Sequence, residues 1–193
     1  MTWIKICGLT SEDAVSAAVT AGADAIGFVF APSKRQVTAQ QAARIARGVP
    51  RSVLRVAVMQ HPSQALVDEV CTVLEPDVLQ TDASDLAGLR VPTHVQLLPV
   101  VRDGNDPMSP LPVRVLYEGK VSGAGETANW KAARTLAEST QLVLAGGLHA
   151  RNVAAAIALV KPFGVDVSSG VESAPGVKDV RKIEEFISAV RKQ

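Results

Sequence analysis

The sequence has few of the residues that build disulfide frameworks or metal sites. It contains two cysteines, Cys7 and Cys71, which lie far apart. The three histidines share no ligand-like spacing with each other or with the thiols. A disulfide framework needs a denser set of cysteines, and a structural zinc site needs four suitably spaced ligands. We therefore expect a reduced protein that binds no metal.

The sequence also has no large excess of charge of either sign and no long apolar run. The formal net charge is +1 with both signs interspersed, so the sequence predicts no electrostatic binding to nucleic acid. No apolar run approaches the roughly 20 residues of a membrane-spanning helix. The first residues enter a strand pattern without the basic and apolar segments of a secretion signal. These features predict a cytoplasmic protein that does not bind membranes.

Aromatic residues make up only 4% of the chain, whereas apolar residues make up 47%. The core must therefore be filled mainly by Ala, Val, Leu and Ile. At 193 residues the chain is long enough for one substantial core, and no Pro-, Gly- or Ser-rich stretch divides it. We expect a single domain over residues 1–193.

Apolar strand patterns alternate with helical patterns along the whole chain. The first predicted strand ends at residue 7, and the others cover residues 24–30, 54–59, 77–80, 93–100, 113–118, 142–144 and 164–167. Helices are predicted at residues 12–22, 38–48, 63–74, 84–89, 126–138, 150–160 and 177–192, with loops at 119–125 and 168–176. Residues 102–112 are too rich in Pro, Asp, Asn and Gly to form a full helix.

Eight alternating units predict an α/β fold, a compact (βα)8 or TIM barrel with a short or degenerate fifth helix. Near-continuous Val, Ile and Leu in the strands is typical of parallel strands covered by helices. An open, doubly wound sheet is the alternative. It is disfavoured because the first strand is not followed by G-x-G-x-x-G.

The first strand carries two polar groups on one face. Alternation directs Ile4 and Ile6 to one side and Lys5 and Cys7 to the other, with Cys7 at the carboxyl end, where barrel enzymes hold their active sites. A free cysteine is often a small buried hydrophobe, which is the structural alternative. A neighbouring ammonium such as Lys5 can instead lower the pKa of a thiol and make it a base.

Two later loops suit a phosphate group. Gly146 and Gly147 follow the seventh strand, and Ser168, Ser169 and Gly170 follow the eighth. Small residues let backbone amides approach an anion closely, and these two loops are the usual phosphate position of a barrel. An ordinary glycine turn is the alternative for each loop alone.

Acid–base chemistry on a sugar phosphate fits the rest of this rim. Strands one and six lie three steps apart around a ring of eight, so Cys7 and Glu118 would face each other across the mouth. One group can remove a proton while the other supplies one. A solvated rim charge is the alternative for Glu118.

Several motifs together resemble phosphoribosylanthranilate isomerase, a family of tryptophan biosynthesis. The resemblance covers nearly the whole chain and rests on these segments: Lys5-Ile6-Cys7-Gly8-Leu9-Thr10, Gly27-Phe28-Val29-Phe30-Ala31-Pro32-Ser33-Lys34-Arg35, Leu144-Ala145-Gly146-Gly147-Leu148, Asn152-Val153, Gly164-Val165-Asp166-Val167-Ser168-Ser169-Gly170-Val171-Glu172 and Lys178-Asp179. It implies a single-domain (βα)8 barrel that needs no metal or cofactor. Its small-molecule substrate would be N-(5'-phosphoribosyl)anthranilate, rearranged to 1-(2-carboxyphenylamino)-1-deoxyribulose 5-phosphate.

The resemblance also implies roles for individual residues. Cys7 would be the general base, and Glu118 the general acid in place of the family aspartate. Arg35 would bind the anthranilate carboxylate, with Lys5, Asp82 and Asp166 as further substrate-binding residues. The phosphate would be bound by the two loops described above, at Gly146, Gly147, Ser168, Ser169 and Gly170.

The chain departs from the family pattern at three places on one side of the barrel. The family's Leu-Leu-Asp is Leu116-Tyr117-Glu118 here, one methylene longer at the acid. The histidine after strand four is replaced by Asp82, and the family's Gly-Gly-Thr-Gly reads Ser122-Gly123-Ala124-Gly125. An added negative charge near an anionic substrate is unfavourable unless it is paired.

These departures leave alternatives open. One is a sugar-phosphate-binding barrel with weak or lost isomerase activity. Another is a related isomerase of histidine synthesis, but that class would have aspartates after strands one and five, where this chain has Cys7 and residues 100–102. The sequence is compatible with a monomer or a homodimer.

Overall fold

The computed structural model describes residues 1–104, 110–119 and 128–193. Eight parallel strands form a closed barrel in chain order, which confirms the predicted (βα)8 fold and excludes the open sheet. The strands are β1 Trp3–Cys7, β2 Ala25–Val29, β3 Leu54–Val58, β4 Val78–Asp82, β5 Gln96–Arg102, β6 Arg114–Glu118, β7 Gln141–Leu144 and β8 Gly164–Val167.

Helices cover the outside of the barrel. They are α1 Glu12–Ala21, α2 Ala39–Ile45, α3 Gln64–Val73, α4 Trp130–Ala137, α5 Val153–Val160 and α6 Val180–Arg191, with 3₁₀ helices at Ala83–Gly88 and Ser169–Val171. Side-chain caps fix where several of them begin. At the start of α2, the Thr38 hydroxyl accepts a hydrogen bond from Gln41 N, and Thr38 N donates to Gln41 Oε1. Among the helices described, none is long and apolar enough to cross a membrane.

The alternation of each strand separates two cores. Ile4 and Ile6 belong to the larger core between strands and helices. A smaller core fills the barrel interior with Ala25, Val56, Val78, Leu98, Val100, Leu116, Val143 and Ala145. Lys5 and Cys7 point into this interior from β1, as the alternation predicts, and lie on its carboxyl-terminal side.

The barrel closes where β1 pairs with β8, with Lys5 in register with Asp166. The last helix supports this junction from outside. Arg191 of α6 donates to Thr2 O at 2.7 Å and forms an ion pair with Asp24 at 2.8 Å. Closure therefore joins residues from both ends of the chain.

The boundaries of several predicted elements shift by a few residues, and the segment after β8 differs in kind. Residues 168–176 were expected to form a loop and 177–192 a helix, but a 3₁₀ helix follows β8, and Glu172–Ala174 then pairs with Val177–Lys178 as a small hairpin. The last helix begins at Val180, after the cap Asp179. Residues 120–125 of the predicted loop, residues 126–127 of the predicted helix that follows it and residues 105–109 lie outside the described part of the chain.

Candidate active site

A cavity of about 660 Å³ opens at the carboxyl ends of the strands. Residues from seven of the eight strand–loop units contribute to its wall, so residues distant in sequence meet there. Among those that line it are Cys7, Arg35, Arg102, Glu118, Ser168 and Ser169. Four of the predicted site residues are therefore brought to one cavity together with Cys7.

Cys7 lies in a charged but buried environment. Beneath it, Lys5 has no exposed surface, and its Nζ donates to Asp166 Oδ1 at 2.9 Å. Strand alternation places Lys5 and Cys7 on one face, and Gly27 leaves room for them, because a Cβ there would lie 3.1 Å from both Cys7 Sγ and Lys5 Cε. Lys5 and Asp166 thus support Cys7 from below.

Burial raises the pKa of the Cys7 thiol, while Lys5 and Lys178 oppose that rise and Asp166 adds to it. Burial lowers the pKa of Lys5, but Asp166 and Cys7 more than compensate, so the Lys5 pKa is raised. Two ammonium groups therefore favour the thiolate, which is the form able to accept a proton.

Arg35 is held by a buried carboxylate that the sequence did not single out as functional. Its Nε and one terminal nitrogen donate to Glu172 at 2.6 and 3.0 Å. Lys178 Nζ binds the same carboxylate at 2.8 Å and also donates to Ser168 O at 2.8 Å. Burial raises the pKa of Glu172, but the bonds from Arg35 and Lys178 outweigh it and bring that pKa to about 2.

Burial lowers the pKa of Lys178, and Glu172 and Cys7 oppose this effect. The hairpin formed by Glu172–Ala174 and Val177–Lys178 is what brings Glu172 and Lys178 together. The motif Val171-Glu172 with Lys178-Asp179 was the available signal in the sequence, but it gave no role to either side chain.

A second charged cluster lies on the opposite wall. The Arg102 guanidinium contacts Glu118 through one terminal nitrogen and Asp82 through the other, the latter at 2.5 Å. All three side chains are nearly buried, with 11–15% of each exposed. Asp82, the unusual charge in the sequence, is therefore paired, which removes the expected penalty on an anionic substrate.

His61 adds to the outer side of this cluster. Its Nδ1 lies 2.8 Å from Asp85 Oδ1, and that bond raises the pKa of His61. The ligand atoms of His61, Asp82 and Asp85 lie within 4.8 Å of one another, a spacing that could hold a metal ion. Those atoms already engage each other, Thr81 and Arg102, so the cluster is accounted for by its own hydrogen bonds.

The two loops predicted to bind phosphate lie side by side. Gly146 and Gly147 both have positive φ, 89° and 62°. A Cβ on Gly170 would lie 1.9 Å from Leu148 O, so only glycine lets the loop after β8 approach the loop after β7 this closely. Asn152 donates to Gly147 O at 2.9 Å and accepts from His149 N at 2.8 Å, which fixes the first loop.

The predicted site residues thus occupy three positions. Cys7, Arg35, Glu118, Ser168 and Ser169 line the cavity. Lys5 and Asp166 lie beneath Cys7, and Asp82 lies behind Arg102. The three glycines lie in the loops after β7 and β8, and the predicted segment Ser122-Gly123-Ala124-Gly125 lies outside the described residues.

Comparison with known proteins identifies the family. Residues 4–189 match the sequence profile described as N-(5'phosphoribosyl)anthranilate (PRA) isomerase. A protein named N-(5'-phosphoribosyl)anthranilate isomerase from Streptococcus pneumoniae (strain Hungary19A-6) is 41% identical, over 99% of this chain and 96% of that protein. The protein of the same name from Streptococcus mutans is 38% identical over the full length of both.

Solved structures agree with the sequence relatives. A phosphoribosyl anthranilate isomerase in complex with reduced 1-(o-carboxyphenylamino)-1-deoxyribulose 5-phosphate is 29% identical, with a TM-score of 0.84 over all of both chains. The Thermus thermophilus enzyme is 27% identical, with a TM-score of 0.86 over 99% of each chain. The resemblance stated from the motifs is confirmed, and the chain belongs to the N-(5'-phosphoribosyl)anthranilate isomerase family.

Proposed function

We propose that the chain rearranges N-(5'-phosphoribosyl)anthranilate to 1-(2-carboxyphenylamino)-1-deoxyribulose 5-phosphate in tryptophan biosynthesis, with Cys7 as general base and Glu118 as general acid. The acid protonates the furanose ring oxygen, and the ring opens to an iminium. The base then removes the proton from C2, giving an enolamine that tautomerises to the ketone. The observation that carries this assignment is the presence of the thiol and the carboxyl group in one cavity.

Cys7 suits the role of base because of the groups around it. A buried thiol alone would stay protonated, but Lys5 and Lys178 both stabilise the thiolate. Asp166 holds Lys5 by a 2.9 Å bond and so keeps the ammonium beneath the thiol. Lys5 and Asp166 therefore act through Cys7, as positioning residues.

Glu118 must carry a proton to act as an acid. A guanidinium stabilises the ionised carboxylate, so contact with Arg102 alone would work against that role. Asp82 shares Arg102 through a 2.5 Å bond and offsets part of its charge. The replacement of the family histidine by Asp82 is thus compatible with an acid at Glu118.

Arg35 is suited to bind the anthranilate carboxylate. Glu172 occupies the Nε side of its guanidinium, through bonds of 2.6 and 3.0 Å. An arginine has five N–H donors, so three are left on the two terminal nitrogens, enough for a paired contact with a second carboxylate. Glu172 therefore orients Arg35 and leaves three of its N–H donors available to the substrate.

The phosphate group fits the two loops after β7 and β8. Gly146, Gly147, Ser168, Ser169 and Gly170 offer backbone amides and hydroxyls at the usual phosphate position of the fold. Lys178 bonds to both the carbonyl and the hydroxyl of Ser168 and adds positive charge beside this loop. These contacts support the predicted phosphate site.

Turnover of freshly generated N-(5'-phosphoribosyl)anthranilate, followed by fluorescence, tests the assignment. Wild type should turn over, and Glu118→Gln should lose activity by about 100-fold or more, the range attributed to a general acid. Glu118→Asp should keep activity, because it retains the acid and restores the family's shorter side chain. Equal rates for wild type and Glu118→Gln would remove Glu118 from the mechanism. A wild type that binds the reduced product analogue without turnover would indicate a binding barrel instead.

We also propose that residues 1–193 act as one domain in the cytoplasm, as a monomer or a homodimer. Two free cysteines, Cys7 and Cys71, support a reducing compartment. A structure of monomers of dimeric phosphoribosylanthranilate isomerase from Thermotoga maritima is 30% identical to this chain, with a TM-score of 0.84, so this barrel is compatible with either state. Sedimentation of the purified chain would decide between them.

A further inference from the structure

Gln80 is a buried polar residue whose hydrogen bonding is incomplete. It lies on β4 with 6% of its surface exposed. Its Oε1 is buried and has no hydrogen-bond partner among the described residues. Leaving a buried polar atom unpaired is costly, and such an atom in a folded protein calls for an explanation.

The position of Gln80 in the barrel accounts for the missing partner. Its register neighbours are Val58 on β3 and Leu98 on β5, and neither side chain can donate a hydrogen bond. It lies two residues before Asp82 on the same strand face, hence about 6.6 Å deeper in the barrel. Gln80 nevertheless lines the cavity that also contains Cys7 and Glu118. Its amide therefore faces the floor of the site.

We propose that Gln80 is a substrate-binding residue, and that its Oε1 accepts a hydrogen bond from a ribosyl hydroxyl. This proposal rests on the proposed function. The phosphate and carboxylate of that substrate are anions that only accept hydrogen bonds, so they cannot satisfy Oε1. The hydroxyls are donors, and the sugar that carries them must span the cavity between the phosphate loops after β7 and β8 and Arg35 after β2.

The two ends of the substrate are held at the rim, so its sugar lies over the floor. Cys7 reaches this floor from β1 and Gln80 from β4. A hydrogen bond from a ribosyl hydroxyl to Gln80 Oε1 would fix the ring between the base and the acid. Gln80 thus restricts the orientation of the carbon skeleton, a task that the charged groups at the rim do not perform.

Gln80→Met is the direct test, because methionine has a similar length and makes no comparable hydrogen bond. The dissociation constant of reduced 1-(2-carboxyphenylamino)-1-deoxyribulose 5-phosphate, measured by calorimetry, should rise about tenfold, the effect of one lost hydrogen bond. The midpoint of urea unfolding without ligand should not fall, because the variant removes an unsatisfied atom. If Gln80 had only a structural role, Gln80→Met would lower the midpoint of urea unfolding and leave the dissociation constant of the analogue unchanged.

Gln96→Met is a matched control, since Gln96 is an exposed glutamine at the amino-terminal end of β5 and does not line the cavity. It should leave both measurements unchanged. Inorganic phosphate should bind wild type and Gln80→Met equally, because it occupies the rim. Gln80→Leu should repeat the Gln80→Met result.

Equal affinity of wild type and Gln80→Met for the analogue would overturn the proposal for Gln80 and leave the proposed function intact. Failure of both Gln80→Met and Gln80→Leu to fold would assign the side chain a structural role and would also overturn it. A wild type that binds phosphate but not the analogue would instead contradict the proposed function, and the inference would fall with it.

Discussion

At the scale of single residues, the site depends on charges that are neutralised in pairs. Two ammonium groups act on the Cys7 thiol, and each of them is bound by a carboxylate, Asp166 on Lys5 and Glu172 on Lys178. Removing one partner from such a pair leaves an uncompensated buried charge. The pKa of the Cys7 thiol is therefore influenced by residues that need not contact the substrate.

Lys178→Met should move the pH profile of the isomerase. Lys178 lowers the pKa of the Cys7 thiol, so its removal raises that pKa further. The rising limb of kcat/KM, which reports ionisation of the base in the free enzyme, should therefore shift to higher pH. Measuring kcat/KM from pH 6 to 10 checks this.

The matched control for that profile is Lys192→Met, a change of an exposed lysine after α6. Its rising limb should coincide with that of wild type. An unshifted limb in Lys178→Met would show that Lys178 does not act on the thiol.

The positions of some of these residues can be predicted from the sequence, and those of others cannot. Strand alternation is a local property, and it correctly directs Lys5 and Cys7 to the barrel interior. Glu172 could not be assigned, because its partner Arg35 is 137 residues away and they meet only after barrel closure. The link from Arg102 to Asp82 likewise depends on the side-by-side pairing of β4 and β5.

At the scale of elements, the proposed phosphate site depends on contact between two loops. Gly170→Ala would place a Cβ 1.9 Å from Leu148 O, so the loop after β8 must move away from the loop after β7. We expect weaker binding of inorganic phosphate and of the product analogue, by about tenfold or more, together with a loss of about 1–3 kcal/mol in the free energy of unfolding. Calorimetry and urea unfolding measure the two effects.

Gly88→Ala provides the comparison for Gly170→Ala. A Cβ on Gly88 would meet no atom within 4 Å, so the substitution should change neither phosphate affinity nor stability appreciably. If Gly170→Ala behaved like Gly88→Ala, close contact between the loops would not be required for the phosphate site.

The elements were more predictable than their ends. Gly22 ends α1 with a φ of 94°, and Thr38 caps α2, both as their residue types predict. The last helix begins at Val180 and not at the predicted residue 177. Pairing of Val177 with Ala174 takes that residue into the hairpin, and such pairing leaves no helical signature in the sequence.

At the scale of the whole molecule, one buried ion pair joins the first and last strands. Lys5 and Asp166 are 161 residues apart, and their 2.9 Å bond lies where the barrel closes. Lys5→Met should lower the free energy of unfolding by about 3–5 kcal/mol, because it leaves Asp166 buried without its partner. The double variant Lys5→Met/Asp166→Leu should recover much of this loss.

Urea unfolding of the two single variants and the double variant measures this coupling. Additive losses in the double variant would mean that the pair does not stabilise closure.

The barrel itself was predictable because eight strand–helix repeats are visible in the chain. The partners across the closure were predictable only once that barrel was assumed.

The most direct test of the central claim is the turnover of Cys7→Ser beside Cys71→Ser. Cys71 is the other free cysteine and lies on α3, away from the cavity residues. Cys7→Ser should lose turnover of N-(5'-phosphoribosyl)anthranilate while still binding the reduced product analogue, and Cys71→Ser should match wild type in both. Near-normal kinetics in Cys7→Ser would contradict the assignment of Cys7 as the base.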